Sequence, residues 1–197
     1  VPAPGIRGDR AREASGRGCR VQVSVKLLFK AVREEMPGEK WREHTGRIWQ
    51  DYERWFLQEG DKSRPGYLSC RRAIKEHMPE LCEMWERLTE LSGGTDRAAR
   101  MLSLYQPPPF ITGCSQAIWT RDQPVLIRNY DYRPSSCEAL ILWSNWHGTR
   151  TMVSSDCVWG VLDGINEHGL TVALAFGGRR VVGPGFGIPL ILRYVLE

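Results

Sequence analysis

Pro107-Pro108-Pro109-Phe110-Ile111-Thr112-Gly113-Cys114-Ser115-Gln116 divides the chain of 197 residues into two unlike parts. Three consecutive prolines lack backbone donors and favour an extended path, so neither a helix nor a strand ladder passes through them. Before the break, apolar residues recur at three- and four-residue spacing. After Gly113 the chain turns into short runs rich in Val, Ile, Leu, Trp and Thr. The expected class is α+β: helices first, then a meander of strands.

Upstream of the break, a short helix is expected over residues 25–35, ended by Pro37 and Gly38. Trp41, Ile48, Trp49, Tyr52, Trp55 and Phe56 then mark one face of a long helix over 39–59, closed by Gly60. A third helix is expected over 65–77. Pro79 suits the first turn of a fourth, with Leu81, Met84, Trp85, Leu88 and Leu91 facing inward and Gly93, Gly94 past its end. Thr95 is a good cap for a last short helix through Leu104. Downstream, strands are expected over 115–120, 124–128, 139–146, 150–154, 158–162 and 170–176. The turn-rich run 163–169 reads as a hairpin connection. Beyond the glycine-rich 177–187 loop, residues 188–196 start a helix with Pro189 in its first turn.

With 42% hydrophobic and 25% charged residues, the composition is that of a globular protein. The net charge is only +4. Arg7, Arg10, Arg12, Arg17 and Arg20, against Asp9 and Glu13, place most of that excess in residues 1–20, which read as a basic mobile leader with no assigned function. The remainder is nearly neutral, so no stripe of cations follows a phosphate backbone, and nucleic acid is not an expected partner. No run reaches the roughly 18 apolar residues of a membrane span. Nor is there a signal peptide, which points to the cytoplasm. Because the chain opens on Val1 and closes at Glu197 within an apolar run, both ends are expected to be cut.

The 6 cysteines are scattered and form no CxxC pair, so a disulfide framework is not expected. His44, His77, His147 and His168 lie far apart and no HExxH occurs, so neither a metal nor another cofactor is implied. Gly183-Pro184-Gly185-Phe186-Gly187 is not a dinucleotide fingerprint, because it follows no βα unit with a downstream acid. It is expected to shape a loop lining the substrate pocket. Cys70 and Cys82 sit in helical patterns as small hydrophobes. Cys114 differs, because a proline-rich connector delivers it after a glycine at the start of a strand. Alone it would read as an ordinary buried cysteine. The next strand adds Arg128-Asn129-Tyr130-Asp131-Tyr132. A guanidinium close to a thiol favours thiolate, and a carboxylate can hold an ammonium. Residues three apart point to opposite faces of a regular strand, so a shared site for Arg128 and Asp131 requires a turn or bulge at Asn129 and Tyr130. The plain alternative is a local ion pair at a strand end.

Gly113-Cys114-Ser115-Gln116, Arg128-Asn129-Tyr130-Asp131-Tyr132, Asp163-Gly164-Ile165-Asn166-Glu167-His168-Gly169-Leu170 and Phe176-Gly177-Gly178 together resemble the acyl-coenzyme A:isopenicillin N acyltransferase-like cysteine peptidases, N-terminal nucleophile hydrolases related to choloylglycine hydrolases and acid ceramidases. Met36-Pro37-Gly38-Glu39-Lys40-Trp41 and His77-Met78-Pro79-Glu80-Leu81 look like bacterial members of that group. The resemblance covers the chain from about Met36 onward and implies a four-layer αββα fold. It also implies a precursor that cuts itself between Gly113 and Cys114. Residues 21–113 would be a helical pro-segment that stays with the catalytic chain, and 114–197 the start of that chain. By the same resemblance Cys114 is the nucleophile, Arg128 contacts the thiol side and Asp131 holds the freed α-amine. Substrates would be small N-acyl amides or thioesters.

Glycine at position 113 lets the sulfur approach its carbonyl and tolerates strained geometry. The freed amine, with an ordinary pKa of about 7.7–8.0, suits a general base for the neighbouring thiol. Asn166, Ala175 and Phe176 are candidates for the oxyanion or pocket wall. In Asn166 and His168, turn duty is the favoured reading. Trp119, Tyr130, Tyr132, Trp143 and Trp159 are further wall candidates, although strand aromatics are usually core. Later strands and site residues of the family have no counterpart before Glu197, so this polypeptide is expected to be weakly active or inactive. A non-catalytic, uncleaved binding or structural protein of the same fold is the alternative.

Overall fold

In the computed structural model, residues 26–109, 113–131, 134–175 and 183–197 are described. The first long helix, α1 (Glu39–Phe56), buries Trp41, His44, Thr45, Ile48, Tyr52, Trp55 and Phe56 along one face. Gly38 offers no side chain to cap it. Glu34 does so instead, its carboxylate accepting the Lys40 N–H at 3.1 Å and the Trp41 N–H at 2.9 Å. Then come α2 (Tyr67–His77), a 3₁₀ turn at Pro79–Leu81, α3 (Cys82–Leu91) and α4 (Asp96–Leu102). Thr95 caps α4, its side chain accepting the Ala98 N–H at 3.1 Å.

The helix expected over 25–35 is not formed. Lys30–Arg33 is a strand, β1, paired in parallel with β4 (Leu140–Ser144) from Lys30↔Leu140 to Arg33↔Trp143. A short segment takes its conformation from the ladder it can join, and here the free edge of β4 overrides local preference. Val32 faces the core, while the Arg33 guanidinium lies 4.2 Å from the centre of the Trp143 ring.

After the proline connector, β2 (Cys114–Trp119) and β3 (Val125–Tyr130) form a two-stranded antiparallel ribbon. The larger sheet has the order β1-β4-β5-β6-β7, with β5 (Thr151–Asp156), β6 (Gly160–Asn166) and β7 (Thr171–Ala173) antiparallel in turn. Helix α5 (Ile188–Leu196) closes the chain, with Pro189 in its first turn. One core holds Trp41, Tyr52 and Trp85 of the helices, Leu142, Val153 and Val161 of the sheet, and Leu190 of α5. Helices therefore cover one face of the sheet, and the β2–β3 ribbon stands over the other. The mixed α+β class and the two sheets agree with the sequence reading.

Strand β6 runs to Asn166, so the connection expected over 163–169 shrinks to a turn at 167–169. Gly164 permits this. A Cβ there would meet Val153 Cγ1 at 2.6 Å and Met152 O at 2.9 Å. The turn between β5 and β6 is tighter. Cys157 and Val158 sit at φ 56° and 75°, costly for a β-branched residue. Buried acids offset that cost. Asp156 Oδ1 accepts the Cys157 N–H at 2.9 Å, and Glu138 Oε1 accepts the Val158 N–H at 2.8 Å. Tyr52 of α1 donates its hydroxyl to Glu138 Oε1 at 2.5 Å and lies 3.1 Å from Asp156 Oδ1. A phenol has one hydrogen, so the approach of Asp156 is favourable when Asp156 brings a proton of its own. Burial first, and then the charge of Glu138, push the Asp156 carboxyl up to about 7.

Two outcomes follow. Because the folded Asp156 binds its proton more tightly than the unfolded chain, its contribution is fully present below the unfolded value of 3.8 and is lost as pH rises to about 7. Asp156→Asn, which keeps an acceptor and cannot ionise, flattens the fall in urea-unfolding free energy between pH 4 and 7 (roughly the window between the two values). Second, a Cβ at Gly160 would stand 2.7 Å from Asp156 O and against Pro189, whereas one at Gly46 in α1 meets nothing. Gly160→Ala is expected to cost about 1–3 kcal/mol or more, and Gly46→Ala to stabilise by about 0.5–1 kcal/mol, in the same urea titration.

Candidate active site

The β2–β3 ribbon carries the thiol. Cys114 lies opposite Tyr130, and Gln116 opposite Arg128. Alternation along each strand puts these four on the face turned toward the larger sheet, with Ser115 and Asn129 on the outer face. The Arg128 side chain is only 7% exposed. It donates from Nη2 to Cys114 Sγ at 2.9 Å and from Nη1 to Asp163 Oδ2 at 2.9 Å. Asp163 belongs to β6 and is paired with Ser154 and Ala173 on the sheet face that looks at the ribbon. A second tie runs alongside: Gln116 Nε2 donates to the Leu174 carbonyl at 2.6 Å.

The β2–β3 register runs from Cys114↔Tyr130 to Trp119↔Val125 without a shift. The bulge expected at Asn129 and Tyr130 is absent. Arg128 and Asp131 instead reach the Gly113–Cys114 step by different routes. The Asp131 N–H donates to the Gly113 carbonyl at 3.1 Å. Its carboxylate accepts from Ser115 Oγ at 2.8 Å and from Asn129 Nδ2, on the outer face. The Gly113 carbonyl is thus polarised from one side while the sulfur is held from the other.

Two cavities flank Arg128 and Asp163. One, of about 530 Å³, is lined by Val125, Leu126, Ile141, Ile165 and Val172 together with the ion pair. The other, of about 270 Å³, is lined by Phe29, Tyr130, Cys137, Leu162 and the same pair. Apolar walls around a few convergent polar groups are the usual character of a small-molecule site. Of the aromatic wall candidates, Tyr130 lines the smaller cavity, Trp119 is half exposed, Trp159 is fully buried in the core, and Tyr132 lies outside the described residues.

Asn166 is occupied elsewhere. Its Oδ1 accepts the His168 and Leu170 N–H groups at 3.1 and 3.0 Å, and its Nδ2 donates to the Leu196 carbonyl at 2.9 Å. Ala175 is exposed, one residue beyond Leu174, and Phe176 lies outside the described residues. The 183–187 loop does not line the two cavities. It packs on the end of the helical half, with the Gln106 N–H donating to Gly185 O and the Gly187 N–H to Leu104 O, both at 2.7 Å.

Asp163 and Gln116 are the residues that sequence reasoning passed over as site residues. In the sequence, Asp163 reads as the first residue of the turn-rich run 163–169. The sequence carries a signal only for its strand, the alternation Asp163, Ile165; the buried Arg128 that needs a counter-charge is seen only in the structure. Among the described residues, no group of three or more His, Cys, Asp or Glu side chains is placed to hold a metal ion, and no helix is long and apolar enough to cross a membrane. Cys70, Cys82, Cys114, Cys137 and Cys157 are all free thiols.

Residues 119–197 match the acyl-coenzyme A:6-aminopenicillanic acid acyl-transferase family. The family resemblance read from the motifs is shown over that stretch. The match takes in Arg128, Asp131 and Asp163 and begins five residues after Cys114. No curated protein and no solved structure gives a match. Similarity to an acyltransferase family over that stretch supports an enzyme acting on small acyl-containing substrates.

Proposed function

We propose that this protein is a self-processing cysteine N-terminal nucleophile enzyme, an amidohydrolase or acyltransferase that acts on linear amide bonds of small N-acyl substrates. The observation that carries the reading is the Arg128 guanidinium at 2.9 Å from Cys114 Sγ, next to a Gly113 carbonyl held by the Asp131 N–H at 3.1 Å.

In the processing step, Cys114 Sγ attacks the Gly113 carbonyl carbon. The carbonyl oxygen takes up charge, and the Asp131 N–H is already aimed at it. Collapse breaks the Gly113–Cys114 C–N bond and moves the acyl group to sulfur, and the Cys114 nitrogen takes up the proton given up by the thiol and leaves as an amine. Water then hydrolyses the thioester, giving a Gly113 carboxylate and a free thiol. In turnover the same sulfur attacks a substrate amide, and the Cys114 amine carries the proton from thiol to leaving amine. The acyl-thioester is released by water in a hydrolase or by an amine in a transferase. Arg128 neutralises charge on sulfur, and the two cavities offer apolar walls for acyl and amine portions. The helical half, residues 21–113, serves as the pro-segment, and a further helical layer outside the ribbon would complete an αββα sandwich.

Intact-mass measurement on the wild type and Cys114→Ala tests the reading. Two fragments dividing at Cys114 are expected in the wild type, and one uncut chain in the variant. A wild type uncut at every pH and temperature tried removes the self-processing mechanism and leaves the uncleaved binding protein.

A further inference from the structure

We infer that Asp163 is a positioning residue that holds the Arg128 guanidinium on the Cys114 sulfur. This deepens the reading of Cys114 as a nucleophile and rests on it. The guanidinium is shared by two partners at equal distance: Nη2 to Cys114 Sγ and Nη1 to Asp163 Oδ2, both 2.9 Å. A planar fork held at one amino group has its other amino group fixed in direction. Asp163 is itself fixed, because it lies inside β6 with paired neighbours on both sides, Ser154 on β5 and Ala173 on β7. Apart from Cys114, the ribbon offers the face of Tyr130, whose ring centre lies 5.3 Å from Arg128 Cζ, a contact that does not fix the direction of the amino groups. Arg128 Nε has no hydrogen-bond partner among the described residues. On β3 the residue rises from a two-stranded ribbon rather than from the five-stranded sheet.

The arrangement answers a specific chemical need. A thiolate is the attacking form of cysteine, and a guanidinium one hydrogen bond away stabilises its charge, an effect that falls with distance. Arg128 has several rotatable bonds and opens on two cavities into which it can swing. With Asp163 gone, a buried Nη1 loses its acceptor, and the guanidinium leaves the sulfur to find another. The carboxylate also withdraws positive charge from Arg128. Since it sits on the far amino group, the loss of contact outweighs the loss of that withdrawal.

The experiment uses the full chain and follows iodoacetamide alkylation of Cys114 at pH 7 by peptide mass, which requires neither cleavage nor a known substrate. Arg128→Ala and Asp163→Ala are each expected to slow alkylation about tenfold, and the double variant to be no slower than Arg128→Ala alone, as for two residues acting through one contact. Asp163→Asn, which keeps an acceptor for Nη1 and the side-chain size, is expected to fall between wild type and Asp163→Ala. Wild-type rates in both Asp163 variants overturn the inference, as does a double variant whose loss is the product of the two single losses. Intact masses of the same samples separate the two readings. A cut chain with an unchanged Asp163→Ala rate sinks the positioning role and leaves the proposed enzyme standing. An uncut chain that shows the non-additive cycle does the reverse.

Discussion

The hydroxyl of Tyr52, set between the carboxyl groups of Glu138 and Asp156, is the contact through which the helical half holds the sheet. All three side chains are buried. Such a cluster is costly unless its hydrogen-bonding groups are used; Glu138 Oε2 has no partner among the described residues, but the other groups stabilise the strained turn between β5 and β6. Two tryptophans tighten the same join: Trp41 Nε1 donates to the Val158 carbonyl at 3.3 Å and Trp159 Nε1 to the Leu102 carbonyl at 2.8 Å. The sheet is thereby fixed at its β5–β6 end. From there the ladder runs along β6, past a bulge at Leu162 where the register with β5 shifts, to Asp163 on the opposite face.

From Asp163 outward the structure depends on polar ties rather than on packed apolar surface. The ribbon meets the sheet through the Arg128–Asp163 pair and the Gln116–Leu174 bond, while Ile118, Trp119, Val125 and Ile127 stay exposed. Polar ties suit this position. Apolar contacts are tolerant of small shifts, whereas a guanidinium hydrogen-bonded through both amino groups, one to Asp163 and one to Cys114, has a preferred plane and distance. In the proposed mechanism the thiol attacks one carbonyl and needs the second kind of restraint, since ångström-scale misplacement erodes reactivity steeply. A partly buried ion pair adds little net stability, so its placement here is better explained by orientation.

Much of the fold was legible in the sequence because helices are local. Trp41, Ile48, Tyr52 and Trp55 repeat with the helical period, and Thr95 and Pro79 mark helix starts by chemistry that depends on immediate neighbours. What was not legible was set by distant partners. Lys30–Arg33 became a strand because an edge over a hundred residues away was open to it. Asp163 looked like a turn residue because Asp-Gly is a turn signal, yet Gly164 is there to let Val153 approach. The site divided in the same way. Cys114, Arg128 and Asp131 were found as a motif along one ribbon, whereas Asp163 enters across a gap between sheets, which no spacing along the chain encodes.

Covalent continuity at Gly113–Cys114 is not what joins the two halves. β1 lies within the larger sheet as the parallel partner of β4, Tyr52 is bonded across to Glu138 and Asp156, and Tyr105 bridges to Phe186. Each of these contacts links a residue before the proline connector to one after it. A cut at the proposed bond would therefore open a free Cys114 amine in the gap between ribbon and sheet without releasing the helical half. Only the connector would gain freedom, and it begins with prolines that have no backbone donors to lose. The arrangement separates the bond that must break from the contacts that must persist, and the proposed self-processing chemistry requires that separation.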